Sequence, residues 1–502
     1  MSSPTPNSTF TTPPLDRTTV ATLISTSLSA RPPLPFPTPT TLTTLTPTLL
    51  SHLPPTGHPP TTLSHLLTLP PAFSSPLLTP AFYAFVTGST LPIAAAADNL
   101  ATALDCNVAV HDRGASLATT IEAHTLTMLT ELLRLSPEVW GGRAITPGAT
   151  GSNILAMATA RDALLDRRLK ASGSAETVAS AGIVGACVQA GVKGVQILGA
   201  AAHSSVYKAA GVLGLGRGNV RDVGVEGEPW RLDLEKVRRE AGREAGREGW
   251  VSVVVVGMGE VNTGRYFGGE EEMKGLKGCL EEVAKGRAWI HVDGAFGIFA
   301  RSLPETEEFA SLRASSEGLQ YADSITADCH KALNTPYASA ILLTRTETDL
   351  NNVCNNGAAA YLKTSATDPI PSPLNHGLEN SRRFSALPIY AVLHAHGREG
   401  LALLFATQVR LARAVASMVK ELEAYELLPT AEVAEVGTIV LFRLRDQGRN
   451  EELLGRINDQ NRIYVSGTSW EGRPAVRVAV SGWEMDVEKD TSVIREVLKA
   501  AE

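Results

Sequence analysis

The sequence feature that most constrains the fold is the valine-rich, largely apolar run VSVVVVGM at 251–258. A β-branched run without polar alternation is typical of a parallel strand with both faces buried. A second buried strand is predicted at 288–293, and strand and helix patterns alternate across 140–345. This alternation predicts an α/β fold with a doubly wound parallel sheet.

Length and composition indicate a globular enzyme. The chain has 502 residues, of which 43% are hydrophobic and 19% charged, enough for about two or three domains. A net charge of −7 does not favour a nucleic-acid partner. The five cysteines are scattered without metal-ligand spacing, which predicts reduced thiols and no metal site. We see no secretory signal and no apolar run near the roughly 20 residues that span a bilayer, so we expect a cytoplasmic protein without membrane contact.

Two residues indicate a particular cofactor. Lys331 lies within DSITADCHKALNTPY, just ahead of a predicted strand at 338–344. Partial desolvation there would prepare its amine as a nucleophile toward an aldehyde. Asp293 ends the predicted strand at 288–293, where α/β sheets bind ligands. Pyridoxal phosphate needs a lysine for a Schiff base and an aspartate to keep its pyridine nitrogen protonated.

The pair of motifs HVDGAFG (291–297) and DSITADCHKALNTPY (323–337) resembles the group II pyridoxal-phosphate-dependent amino acid decarboxylases. That family includes the aromatic amino acid, histidine, glutamate and cysteine-sulfinate decarboxylases. The resemblance covers about 80–485. It implies a fold-type-I enzyme whose large domain holds a mostly parallel seven-stranded sheet flanked by helices, together with an N-terminal helical segment and a small α+β C-terminal domain.

The same resemblance implies domain boundaries and an assembly. The N-terminal helical or extended segment would cover 1–90 and lie at the interface of a homodimer. The large cofactor-binding domain would cover 91–385, and the small domain 386–502. Strands of the small domain are predicted at Gly437–Leu444, Ile463–Ser466 and Ala475–Val480.

The resemblance also assigns residues to the cofactor ring. Lys331 would form the Schiff base and Asp293 would hold the pyridine nitrogen. His203 would stack on one face of the ring and lie against the substrate carboxylate, while Ala295 would support the other face. From the residues alone, a histidine in the position of His203 is more often a neighbour of a helix cap.

The phosphate end is predicted at the start of a helix in AITPGATGSN, where backbone N–H groups make an anion site. Ala149, Thr150 and His330 are the expected contacts, although ordinary capping is the commoner explanation of such a loop. Asp328 stands where some relatives carry a phosphate-contacting asparagine. A carboxylate would repel phosphate there unless turned away or paired, so its role stays open. In GEVNTG, Val261 replaces a threonine common in the family.

The resemblance also implies that Phe85, Val108 and Val110 contact the substrate, with the 108–111 segment reaching into a neighbouring subunit's site. They indicate an apolar pocket, although Phe85 also reads as a core aromatic. Tyr361, in a YLK setting, matches the family tyrosine that reprotonates Cα; the plain alternative is a loop anchor. Arg383 and its neighbour Arg382 either hold a carboxylate or are structural.

The predicted activity is decarboxylation of an L-amino acid, aromatic or large and hydrophobic, to the amine and carbon dioxide. The alternatives are an oxygen-using decarboxylation that gives an aldehyde, decarboxylation of an acidic amino acid, carbon–carbon cleavage of a phosphorylated amine, and a catalytically silent scaffold. The predicted homodimer would bind no nucleic acid.

Overall fold

The computed structural model describes residues 17–29, 34–54, 59–73, 81–242, 249–355, 369–430 and 432–502. Tyr361 lies outside these ranges, so its role stays a prediction. The described helices are α1 Arg17–Ser29, α2 Pro39–Leu45, α3 Pro59–Leu66, α4 Pro92–Leu104, α5 Ala118–Leu132, α6 Ala149–Ala171, α7 Val178–Gln189, α8 Ser204–Val212, α9 Leu234–Gly242, α10 Glu270–Ala284, α11 Ala310–Ser315, α12 Glu347–Cys354, α13 Ala386–Glu421, α14 Asn450–Asn458 and α15 Val487–Ala501. The described strands are β1 Gly142–Thr146, β2 Gly194–Gly199, β3 Val220–Asp222, β4 Gly224–Val225, β5 Glu228–Leu232, β6 Trp250–Gly257, β7 Ala288–Asp293, β8 Ser324–Asp328, β9 Ala340–Thr344, β10 Tyr425–Leu428, β11 Ile439–Leu444, β12 Ser466–Trp470 and β13 Arg473–Ala479.

The large sheet has seven strands in the order β1-β9-β8-β7-β6-β2-β3. Strands β8, β7, β6, β2 and β3 run parallel, while β9 pairs antiparallel with both β8 and β1. The predicted mostly parallel seven-stranded sheet and the fold class are therefore confirmed. Because the parallel strands share one direction, their carboxyl ends meet along one edge of the sheet.

The interior position of strand β6 explains why the run at 251–258 is largely apolar. Val251, Val253 and Val255 pack into the core under α6, α7 and α8. Val254 and Val256 pack into the core on the opposite face. A strand buried on both faces admits a polar side chain only where that side chain finds a partner, as Ser252 Oγ does by accepting from Gln196 Nε2 at 3.0 Å. Such a nearly continuous apolar strand is the signature of a doubly wound sheet.

The C-terminal region builds a second, antiparallel sheet in the order β10-β11-β13-β12. Its apolar face packs on α13, α14 and α15 in a separate core. Two of its three predicted strands are confirmed as β11 and β13. The prediction for Ile463–Ser466 is wrong, since the strand begins only at Ser466. Ile463 and Val465 are buried in the core, which accounts for their apolar character without a strand. The domain boundaries stay predictions.

Helix α13 corrects another expectation. By length and composition it is apolar enough to cross a membrane, although no apolar segment of that length was expected. The helix packs against α4, α5 and α15, and about half of its most apolar stretch is buried within the protein. Core packing thus accounts for its hydropathy.

Candidate active site

A cavity of about 380 Å³ lies at the carboxyl ends of β2, β6, β7 and β8. Open α/β sheets bind ligands at this edge, because loops rather than strands follow there. The predicted residues that line the cavity are Phe85, Ala149, Thr150, His203, Asp293, Ala295, Asp328, His330 and Lys331. The fold therefore brings together side chains separated by almost 250 positions in the chain.

Lys331 lies in a tight turn directly after β8. Its Nζ pairs with Asp328 Oδ2 at 2.9 Å and lies 5.7 Å from the centre of the Phe296 ring. The turn packs so closely on Gly88 that a Cβ there would lie 2.3 Å from the Lys331 carbonyl oxygen. Asn334 Nδ2 donates to the same carbonyl at 3.0 Å. These contacts hold the lysine backbone and leave its amine at the cavity.

Asp293 ends β7 and is held by an asparagine on α6. Asn153 Nδ2 donates to Asp293 Oδ2 at 2.8 Å, and the Ala295 N–H donates to Oδ1 at 3.3 Å. The Asn153 Oδ1 atom faces His291 Nε2 at 2.9 Å. Because a carboxylate only accepts hydrogen bonds, the asparagine must turn its NH₂ toward Asp293, and His291 must carry its hydrogen on Nε2.

His291 is fully buried and neutral. Burial lowers its pKa to about 4, and the nearby Asp293 carboxylate only partly opposes this. Because the neutral ring carries its hydrogen on Nε2, its Nδ1 accepts from Ser324 Oγ at 2.8 Å, and that hydroxyl oxygen accepts from Trp289 Nε1 at 2.8 Å. Neither the role of His291 nor the contact of Asn153 was predicted from the sequence. Asn153 stands in the motif that predicts a helix start, but no local pattern shows its contact with His291 on β7.

His203 caps the start of α8 and opens on the cavity. Its Nδ1 accepts from the Ser205 N–H at 3.3 Å and lies 2.8 Å from Ser205 Oγ. The hydrogen of the neutral ring therefore lies on Nε2. Burial lowers the pKa of His203, and Asp293 opposes the shift. His203 can both cap α8 and face the cavity, because Nδ1 accepts the capping hydrogen bond and Nε2 remains for the cavity.

The phosphate end is partly occupied by the protein's own carboxylate. The Ala149 N–H at the start of α6 donates to Asp328 Oδ1 at 2.7 Å. Thr150 is partly exposed to the cavity. Ser152 turns inward instead, with Oγ 2.6 Å from Thr146 Oγ1. Asp328 is thus paired, but not turned away from the cavity.

His330 lies beside this carboxylate. Its Nδ1 donates to the Ser339 carbonyl at 3.2 Å and lies 3.7 Å from Asp328 Oδ1. Its ring packs on Tyr337, with the ring centres 4.8 Å apart. Burial lowers the pKa of His330. The neutral ring then has no hydrogen on Nε2 to donate to an anion.

The substrate side of the cavity is lined by aromatic and apolar side chains. Phe85 is 54% exposed and adopts a φ of 60°, uncommon for an aromatic residue. Its N–H donates to Ser466 Oγ at 3.1 Å, which fixes the residue at the cavity wall. Trp230 and Phe296 also line the cavity but were not predicted. Trp230 arrives on the β4–β5 hairpin, stacked on Trp470.

Val108 and Val110 do not line the cavity of their own chain. Val108 is only 1% exposed and packs in the large-domain core, and Val110 is half-buried. Their predicted contact is with the substrate in a neighbouring subunit, and it stays a prediction. Arg382 forms a buried pair with Glu122 at 2.5 Å, and Arg383 pairs with Asp98 at 2.6 Å. Both arginines thus have structural partners.

Two charged residues of the cavity were missed. Arg477 is only 8% exposed and reaches the cavity from β13, where it donates to the Val261 carbonyl. Among the residues that the structure describes, nothing accepts a hydrogen bond from its Nε. Glu260 accepts from the Asn262 and Thr263 N–H groups at 2.9 and 2.8 Å. The sequence signal that could have identified Arg477 is its position inside the apolar run AVRVAV at 475–480.

The fold and the lysine–aspartate cavity define the class of pyridoxal-phosphate-dependent α/β enzymes. Residues 75–445 match the model of the pyridoxal-dependent decarboxylase conserved domain, and the chain belongs to that family. Among solved structures, that of Oryza sativa TDC with PLP and tryptamine shares 22% identity, with a TM-score of 0.78 over 98% of this chain and 99% of that one.

Two curated relatives illustrate the spread of the family. L-2,4-diaminobutyrate decarboxylase of Rhizobium meliloti (strain 1021) is 27% identical over 314 residues, which cover 62% of this chain and 55% of the relative. Tryptophan decarboxylase 1 of Oryza sativa subsp. japonica is 25% identical over 456 residues, covering 82% of this chain and 80% of the relative. The chain therefore spans little more than half of the diaminobutyrate enzyme.

The residues present fit pyridoxal phosphate. The cavity offers an amine on Lys331 for its aldehyde and a carboxylate on Asp293 for its ring nitrogen. The start of α6 offers backbone N–H groups for a phosphate, although Asp328 holds that of Ala149.

Proposed function

We propose that the protein is a carboxy-lyase that uses pyridoxal phosphate to convert an L-amino acid into its amine and carbon dioxide. The observation that carries the proposal is the shared cavity of Lys331 and Asp293 at adjacent strand ends of the family's fold. When bound, pyridoxal phosphate supplies an electron sink for the pair of electrons left by the departing carboxylate.

The chain's own residues would create the conditions for this chemistry. Asp293, oriented by Asn153, would keep a proton on the ring nitrogen. His203 would present its Nε2 hydrogen toward the cavity, where it can donate to a substrate carboxylate or cover the ring. Lys331 would bind the cofactor and release it to the substrate amine.

We propose an aromatic or large hydrophobic L-amino acid as the substrate. Phe85, Trp230 and Phe296 line the cavity, and Val261 replaces a polar family residue among them. Such walls favour a large apolar side chain over a small or charged one. The tryptophan decarboxylase relative acts, by its name, on a substrate of this kind.

Arg477 supports a second candidate, an acidic amino acid. Its buried guanidinium lines the cavity and has a hydrogen-bonding nitrogen without a described acceptor. A planar guanidinium binds carboxylates well, whether that of the α-carbon or that of a side chain. If the substrate is aromatic or hydrophobic, Arg477→Met should weaken the binding of all substrates by a similar factor. If the substrate is acidic, the same change should selectively remove activity on acidic substrates.

We also propose that the enzyme is a cytoplasmic homodimer. Several leucines of the N-terminal region are exposed in the single chain, among them Leu50 and Leu53 at 78% and 95%. Apolar side chains so exposed favour burial against a partner. Light scattering after size-exclusion chromatography measures the mass directly, and a monomer at micromolar concentration contradicts the homodimer. Fractionation of source cells tests the location.

The experiment for the reaction is product analysis by mass spectrometry. Cofactor-loaded protein is incubated in air with aromatic, acidic and basic L-amino acids, including 2,4-diaminobutyrate. Amine with carbon dioxide supports the proposal and identifies the substrate class. Aldehyde, ammonia and hydrogen peroxide, formed with consumption of oxygen, would instead place the enzyme in the oxidative branch.

A further inference from the structure

Asp328 holds two groups that the cofactor itself requires. Its Oδ1 accepts the Ala149 N–H at 2.7 Å, and its Oδ2 pairs with Lys331 Nζ at 2.9 Å. The first group belongs to the helix start that suits a phosphate, and the second is the amine that must meet the aldehyde. The carboxylate is only 2% exposed, so water screens it poorly.

The geometry is that of a phosphate substitute. An anion at a helix N-terminus is stabilised by the unpaired N–H groups of the first turn and by the helix dipole. Asp328 uses one of these N–H groups and a cation, as a phosphate oxygen would. A phosphate brought to the same helix start would face a carboxylate at close range, and like charges repel strongly in a buried site.

We propose that Asp328 is an internal anion that the cofactor phosphate must displace, so that this side chain sets the affinity for the phosphorylated cofactor. When phosphate binds, the carboxylate leaves the Ala149 N–H. The inference rests on the proposed use of pyridoxal phosphate, but not on the reaction or its substrate. It explains how a carboxylate is accommodated where some relatives have asparagine.

Other titratable groups face Asp328, and the charge of these groups also affects how tightly a phosphate binds. Lys331, His330 and Cys329 lie on its own turn, while Tyr337 and His203 approach from neighbouring segments. The histidines become cationic at low pH and attract phosphate whether or not Asp328 is present. The effect of Asp328 is therefore the difference between wild type and a variant that lacks its charge.

The test compares two probes that cannot bond to Lys331, 4′-deoxypyridoxine 5′-phosphate and 4′-deoxypyridoxine. They share the ring and lack the aldehyde, so the ratio of their affinities measures the phosphate contribution alone. Binding to the full-length apo-protein is measured by fluorescence or calorimetry at pH 7.5. In Asp328→Asn we expect this ratio to rise at least about tenfold over wild type, because the repelling charge is gone. A ratio that is unchanged or lower overturns the proposal.

Asp323→Asn is the matched control. Asp323 is a half-buried carboxylate just before the same strand that also accepts a backbone N–H, that of Ile290 at 2.7 Å, but it does not line the cavity. We expect its ratio to equal that of wild type; the same rise there would mean a general charge effect and would contradict the proposal.

Asp328→Ala provides a second test if the asparagine variant does not fold. We expect the same rise in the affinity ratio, because alanine also removes the repelling charge. An unchanged or lower ratio in that variant overturns the proposal. Loss of turnover with tight probe binding would instead count against the proposed reaction alone.

Discussion

The Asn153 amide donates to Asp293 Oδ2 across 2.8 Å and to Ser205 Oγ across 2.9 Å. Ser205 in turn lies 2.8 Å from His203 Nδ1. One asparagine on α6 therefore orients both the carboxylate proposed for the ring nitrogen and the histidine proposed for the ring face. Its Oδ1 accepts from His291, so both of its N–H donors and its carbonyl oxygen are engaged inside the protein.

Replacing Asn153 by leucine should weaken pyridoxal phosphate binding about 10- to 100-fold. The estimate corresponds to losing a hydrogen bond to a charged group, roughly 1.5–3 kcal/mol. The pH midpoint at which the absorbance of the bound cofactor titrates should also differ from that of wild type. A loss of packing alone would not shift this midpoint. Asn153→Asp, which places a second carboxylate against Asp293, should be at least as defective. Thr159→Val, on the same buried helix, is the control, and equal defects in both helix variants would refute the orienting role.

Lys331→Ala should lower turnover by at least about a thousandfold, the scale seen when a covalent catalytic group is removed. Cofactor should still bind through Asp293 and the start of α6, with the absorbance of an unbonded aldehyde. Lys208→Ala, an exposed lysine of α8, serves as control. Normal turnover in the Lys331 variant would remove the basis of the proposed function.

His291 should make stability depend on pH. Its folded pKa of about 4 lies below the usual 6.5, so the unfolded chain binds the extra proton between these values. The stabilising contribution is complete above about pH 6.5 and declines as the pH falls to about 4, by roughly 3 kcal/mol at most. Urea unfolding across this window should show a steeper decline for wild type than for His291→Gln. His396→Gln, at an exposed site, is the control, and parallel slopes for all three proteins would contradict the prediction.

Tyr361→Phe should suppress amine release and yield aldehyde. The resemblance assigns this hydroxyl to the reprotonation of Cα; without it, molecular oxygen can oxidise the same carbon, giving aldehyde, ammonia, carbon dioxide and hydrogen peroxide. An oxygen electrode and a peroxide assay measure the diversion, with Tyr390→Phe as control. Undiminished amine output from Tyr361→Phe would remove the assigned role.

The sequence by itself determined the chemistry and the scaffold. The apolar run of β6 and the alternation around it predict the doubly wound sheet, because burial on both faces leaves a local pattern in the chain. Lys331 and Asp293 were also visible locally, since each stands beside a predicted buried strand in a motif that resembles a known family.

Only the tertiary structure decided how the cavity is closed and charged. Arg477 and Trp230 enter from distant strands, and the packing of one sheet against another is not encoded in any local period. Val108 was predicted to contact the substrate, but in its own chain it is buried in the core. An apolar side chain suits a core and a pocket equally, and only the packing distinguishes the two. The orientation of Asp328 likewise depends on the N–H of Ala149, 179 positions away in the chain, because a hydrogen bond is set by distance in space.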